Sequence, residues 1–251
     1  MKNKIALVLP ALALLTATRS HATTVALTPG TYTENFNSIV VASMEPATGW
    51  GLYMSPTATE MGSLTPLGRK RTWDNGNGQF KDVSSANIPA NSDANAQNAN
   101  TDRALAMRQV SNGGFDPGMA FAFNFSSTSL MVTNFSIQML MLEEQSRSTD
   151  LVIQYALGSS PASFTTLGTW SDPGVFGITP LTFDRSDFGS QLDGQSQVWL
   201  RIAALTPSTG TGSGYDMIAI DNFSLNTAAV PEPSAALLGA LGVLGLLRRR
   251  R

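Results

Sequence analysis

The sequence contains no cysteine and one histidine among its 251 residues. The first absence excludes a disulfide framework, a Cys-ligated zinc or iron–sulfur site, and a thiol nucleophile. The histidine, His21, lies in a segment that reads as a leader, so the rest of the chain offers no imidazole. His-based triads and His-ligated zinc are excluded there. Charge is scarce too: 14% of residues are charged, against roughly 25% in a typical soluble domain. Tryptophan and tyrosine number four each, few enough to weigh one by one.

The two ends read as targeting segments. Lys2 and Lys4 make a basic start, residues 5–17 an uncharged apolar run, and Ser20 and Ala22 the small residues of a cleavage site. This is the pattern of a secretory signal peptide over residues 1–22. The run is too short to span ~30 Å of hydrocarbon. At the other end, Val230-Pro231-Glu232-Pro233 leads into a second uncharged run, residues 234–247, and then Arg248, Arg249, Arg250 and Arg251. A helix over that run covers about 21 Å, short of the ~20 residues of a stable span. The four arginines form a basic stop on the cytoplasmic side.

This ordered tail closely resembles the PEP-CTERM sorting signal of Gram-negative bacteria. The resemblance implies that Pro231, Glu232 and Pro233 are the recognition motif. It also implies that an exosortase, a membrane transpeptidase-like cysteine protease, removes the helix that follows. The implied partners are that enzyme and, in transit, the inner membrane. An ordinary tail anchor over residues 230–251 is the alternative. Both readings place the body outside the inner membrane, in the cell envelope or the extracellular space.

Between the ends, residues 23–229 carry nine Lys and Arg against seventeen Asp and Glu, a net charge of −8. The whole-chain value of −2 averages an acidic body with basic ends. An acidic body speaks against nucleic acid, whose binding rests on phosphate neutralisation. About 200 residues suffice for a core without covalent staples and suit a single all-β domain.

The body repeats with period two. Met119, Phe121, Phe123 and Phe125 alternate with smaller or polar residues, as do Phe135, Ile137, Met139 and Met141, then Leu151, Ile153 and Tyr155, then Val198, Leu200 and Ile202. Ile218 and Ile220 precede Asp221, and Phe223 and Leu225 follow. Such runs, separated by Gly/Ser/Asn/Pro clusters, predict antiparallel strands buried on one face. The expected fold is all-β, a two-sheet antiparallel sandwich of jelly-roll type. An N-terminal signal helix and a C-terminal hydrophobic helix flank it. Residues 32–41 and 49–54 predict early strands. Residues 74–104, rich in Asn, Gly and Ala, predict a long irregular excursion.

The segments 103–108, 143–148, 199–202 and 218–225 together resemble a widespread bacterial extracellular jelly-roll domain, of the kind found in MAM-like and carbohydrate-binding modules. This chain has Asn222 where that pattern often shows a second Asp, which removes one anionic ligand. Asp221 could ligate a structural Ca²⁺ with Glu34 or Asn35, because first and last strands often pair in such sandwiches and calcium takes six to eight oxygens. The alternative is that Asp221 caps a turn or pairs with an arginine. No other cofactor is expected. Arg103, Arg108, Arg147 and Arg201 are expected to pair with Asp102, Glu143, Glu144, Asp150 or Asp221. Trp73, beside Asp74-Asn75-Gly76-Asn77, is the best candidate among the Trp and Tyr residues for exposure and for stacking on a sugar ring; core or edge packing is the competing reading for each of them.

Adjacent Glu143 and Glu144 point to opposite faces of a strand, and no other spacing selects an acid and a nucleophile for glycoside hydrolysis. The reading is a non-catalytic exported protein of the cell envelope or extracellular matrix, sorted through its tail, with exopolysaccharide as a further partner. A lectin-like carbohydrate-binding module is the alternative, and a carboxylate glycosidase a lesser one.

Overall fold

The computed structural model describes residues 22–39, 45–68, 71–74, 80–111 and 115–230. In chain order the elements are β1 (Val25–Ala26), β2 (Gly30–Glu34), β3 (Trp50–Met54), β4 (Ser63–Thr65), β5 (Lys81–Ser84), α1 (Ala94–Ala99), β6 (Arg103–Met107), β7 (Met119–Ser126), β8 (Leu130–Glu143), β9 (Arg147–Ser148), β10 (Leu151–Leu157), β11 (Thr165–Trp170), β12 (Gly177–Asp184), α2 (Arg185–Phe188), β13 (Val198–Ala204), β14 (Thr209–Gly210) and β15 (Met217–Ala229). The expected two-sheet antiparallel sandwich is what they form. One sheet runs β11-β10-β13-β7-β3-β4, with β1 beside β7; the other runs β12-β8-β15-β6-β5, with β2 beside β15. The flanking signal and hydrophobic helices expected at the ends lie outside the described residues.

The period-two runs decide which face meets which. Phe121, Phe123 and Phe125 on β7 point between the sheets and pack with Phe135, Ile137, Met139, Leu200 and Phe223. Phe123 sits at the centre of an aromatic cluster, with ring centroids 4.9 Å from Tyr32, 5.3 Å from Trp50 and 5.1 Å from Phe223. The residues alternating with these phenylalanines are not solvated. Ala120 and Ala122 join Tyr53, Met61, Ala156 and Trp199 in a second apolar layer. On the other sheet Ala104, Ala106, Leu140, Leu142 and Met217 pack with Trp73 in a third. Alanine occupies these positions because loops close over both outer faces and leave little depth.

Two early expectations need correction. The first strand stops at Glu34 instead of running through 32–41. Glu34 Oε1 accepts the Phe36 amide at 2.7 Å, Asn35 Oδ1 accepts the Asn37 amide at 3.2 Å, and Phe36 has φ 54°. These side-chain-to-backbone bonds compete with the ladder and turn the chain. The 74–104 stretch is not irregular throughout. It holds the fully buried β5 and the short α1, capped by Asp93, whose Oδ1 accepts the Ala96 amide at 2.9 Å. The sequence Lys-Asp-Val-Ser shows no apolar alternation because its buried members include a lysine and an aspartate. Among the described residues strand β12 pairs with β8 alone, and it contains Pro180, which lacks an amide donor and so belongs on an edge.

Candidate functional site

The candidate site is a junction in β15. One edge of this strand pairs with β6 over Ile218–Ile220 and then with β2 over Phe223–Thr227. Asp221 and Asn222 fall in the gap. On the opposite edge the register against β8 slips between Asp221 and Ser224, and Asn222 has φ 46°. Asp221 is fully buried. Its Oδ2 accepts the Ser85 hydroxyl at 2.7 Å and its Oδ1 accepts the Asn222 amide at 2.7 Å. The β2–β15 pairing sets Glu34 opposite Phe223, and the Glu34 charge reaches the Asp221 carboxyl; the first strand, β1, pairs with β7 instead, and Asn35 Oδ1 is taken up by the Asn37 amide. Burial pushes the Asp221 carboxyl up to about 7, and the charges of Asp102 and Glu34 add to this. Hydrogen bonds from Ser85 and Asn222 work the other way. Among the described residues no group of three or more His, Cys, Asp or Glu is arranged to hold a metal.

The four arginines act as internal struts. Arg103 Nε meets Asp82 Oδ1 at 2.8 Å, with both side chains buried. Asp82 was not among the expected partners. Arg108 pairs with Glu143, as expected, and donates to the Trp73 carbonyl at 2.6 Å. Arg147 meets Asp116 at 3.2 Å and lies over the Tyr215 ring. Arg201 is fully buried and among the described residues has no carboxylate partner. It donates to Gln154 Oε1 at 3.1 Å and to the carbonyls of Thr57 and Glu60 at 3.1 and 2.8 Å, and it stacks 3.4 Å from the Phe164 ring. Burial lowers it to about 10. Asp82, Asp116 and Gln154 carried no sequence signal, since a single polar residue does not show which distant partner it meets.

Trp73 requires correction. It is 3% exposed, its Nε1 donates to the Ser84 carbonyl at 2.9 Å, and it packs against Phe176. The polar neighbours that suggested exposure follow a residue that seals the outer layer of its sheet. Trp50, Trp170 and Trp199 are equally buried. A surface groove of about 760 Å³ runs beside Thr23, Trp50 and Leu64, with Glu45 among the described residues that line it. Ala22 is anchored: its amide donates to Tyr53 Oη at 3.0 Å and its carbonyl accepts from Asn124 Nδ2 at 2.9 Å. Ser20, Pro231, Glu232, Pro233, Arg248, Arg249, Arg250 and Arg251 lie outside the described residues.

Comparison with curated proteins gives no significant match. Among solved structures, the chain is similar to a cleaved adhesin domain of Lys-gingipain from Porphyromonas gingivalis, at 12% identity and a TM-score of 0.43, covering 80% of this chain and 99% of that one. It is also similar to a family 11 carbohydrate-binding module from Clostridium thermocellum, at 10% identity and a TM-score of 0.40, covering 82% and 100%. Neither likeness decides a function. The family model that does match is the PEP-CTERM protein-sorting motif, over residues 229–251. The segment that begins where β15 ends is therefore a PEP-CTERM sorting signal.

Proposed function

We propose that the chain is a non-catalytic component of the cell envelope or extracellular matrix. It is exported, held in the inner membrane in transit, and processed by an exosortase-type enzyme. The observation that carries this reading is the sorting motif at residues 229–251. The body supports it: no His or Cys follows His21, and buried Arg103 and Arg108 are engaged with carboxylates and backbone carbonyls. Deleting residues 230–251, or substituting Glu232→Ala, is expected to change both mature mass and final compartment. Cell fractionation with intact-mass analysis reads this out. Identical mass and compartment for the full-length and tail-deleted proteins would overturn the reading.

The pairing of β2 with β15, which sets Glu34 beside the Asp221 junction, favours a second element, a structural cation. Glu34, Asn35 and Asp221 would hold it, and its charge would offset that of buried carboxylates. The pH dependence of stability gives the test. An aspartate raised in the folded state binds its proton more tightly there, so stability is lost as pH climbs from the ordinary carboxylate range to the folded value. Asp221 and Asp216 are both raised to about 7, each chiefly by burial. Lys81 is lowered to about 7, again chiefly by burial; unfolding there takes up a proton, so stability returns above that pH. Without a cation, Tm is expected to pass through a minimum near neutrality, and Asp221→Asn to flatten its acid side. With the cation seated, excess Ca²⁺ raises Tm at pH 8 and a chelator lowers it. A Tm indifferent to both overturns the calcium element.

A further inference from the structure

The last strand ends where the sorting motif begins, with no linker between them. β15 runs to Ala229, and its ladder with β8 holds to the final pair, Ala229 with Leu130. The Val230 amide then donates to the Ser129 carbonyl at 3.2 Å. Pro231 is the next residue. The strand is interior to its sheet, flanked by β8 on one side and β2 on the other.

Side chains reinforce this end. Thr227 is 8% exposed and its hydroxyl lies 2.8 Å from the Thr28 carbonyl and 3.2 Å from that of Gly30. Asn226 accepts from Thr31 Oγ1 at 2.5 Å, donates to Asn134 Oδ1 at 2.7 Å, and accepts at its carbonyl from Thr133 Oγ1 at 3.1 Å. The β1–β2 turn and both neighbouring strands are thus tied to the last residues before the motif.

An extended residue covers at most about 3.6 Å. Pro231, Glu232 and Pro233 therefore reach only about 10 Å beyond Val230 while the strand stays zipped. A membrane-bound enzyme that takes up this motif must approach flush against the folded sandwich. Local opening of a strand end costs far less than global unfolding, so fraying supplies slack that the sequence does not.

We propose that residues 226–230 form a latch, and that its opening sets the rate at which the folded protein is processed. This rests on the sorting function proposed above. The test is a pulse-chase of tail processing in cells that contain the sorting enzyme, on the full chain. A flexible Gly/Ser insert of about ten residues between Val230 and Pro231 adds reach without removing a contact, and it is expected to speed processing severalfold. Thr227→Ala, which loosens the latch itself, is expected to do the same while keeping the melting transition cooperative. Equal rates for the insert and the parent, with Glu232→Ala still blocked, overturn the latch and leave the sorting reading standing. Unprocessed tails in parent and insert alike overturn both.

Discussion

Replacing Arg103 with Met is expected to destabilise the sandwich by about 3–5 kcal/mol. The side chain is tied at every nitrogen. Nε meets the Asp82 carboxylate at 2.8 Å, Nη1 meets the carbonyls of Gln97 and Asn100 at 3.0 and 3.3 Å, and Nη2 meets that of Asp82 at 3.1 Å. Removing the guanidinium takes a buried carboxylate's counter-charge away and frees the loop that carries α1. A loss of that size is a large share of the ~5–15 kcal/mol that holds a domain together. Urea denaturation followed by tryptophan fluorescence measures it. The double substitution Arg103→Met with Asp82→Leu is expected to recover much of the loss, because a well-packed apolar pair does not need the charges. A single-variant loss under about 1 kcal/mol, the range of exposed pairs, would show that the pair is solvated.

Phe123→Ala is expected to cost about 3–5 kcal/mol, by a different route. Its ring contacts Tyr32, Trp50, Phe125 and Phe223, which come from four strands of both sheets. Truncation leaves a void that these rings cannot close together, since each is fixed by its own strand register. Phe123→Leu is expected to cost clearly less, because it retains most of the volume. The same denaturation series checks both, and equal losses for Ala and Leu would show that aromatic geometry outweighs volume here.

The strands with phenylalanine or isoleucine on every second residue were legible because one face of each is buried at full depth. Strand β5 was hidden because a chain that buries Lys81 and Asp82 looks solvated until their partners, far along the sequence, are in place. Strands β11 and β12 were hidden for an opposite reason: edge position lets them carry Gly168, Pro180 and several threonines that dilute the pattern. At the candidate site the strand that carries Glu34 does lie beside the last strand, although it is the second strand and not the first. The Ser85 hydroxyl that engages Asp221 was not foreseeable, since 136 residues separate them. Trp73 misled because local polarity reports on the next turn of chain and not on the layer beneath. The C-terminal sorting motif was read from order and composition alone.

Pro180 has a consequence for crowding. An exposed strand edge is a template for another chain, and at high local density such pairing ends in fibres or insoluble sheets. At that edge the ladder is interrupted by a residue with no amide to offer and is followed by Asp184, which is exposed. Among the described residues β12 is the last strand of its sheet, and Pro180 makes that edge a poorer template for another chain.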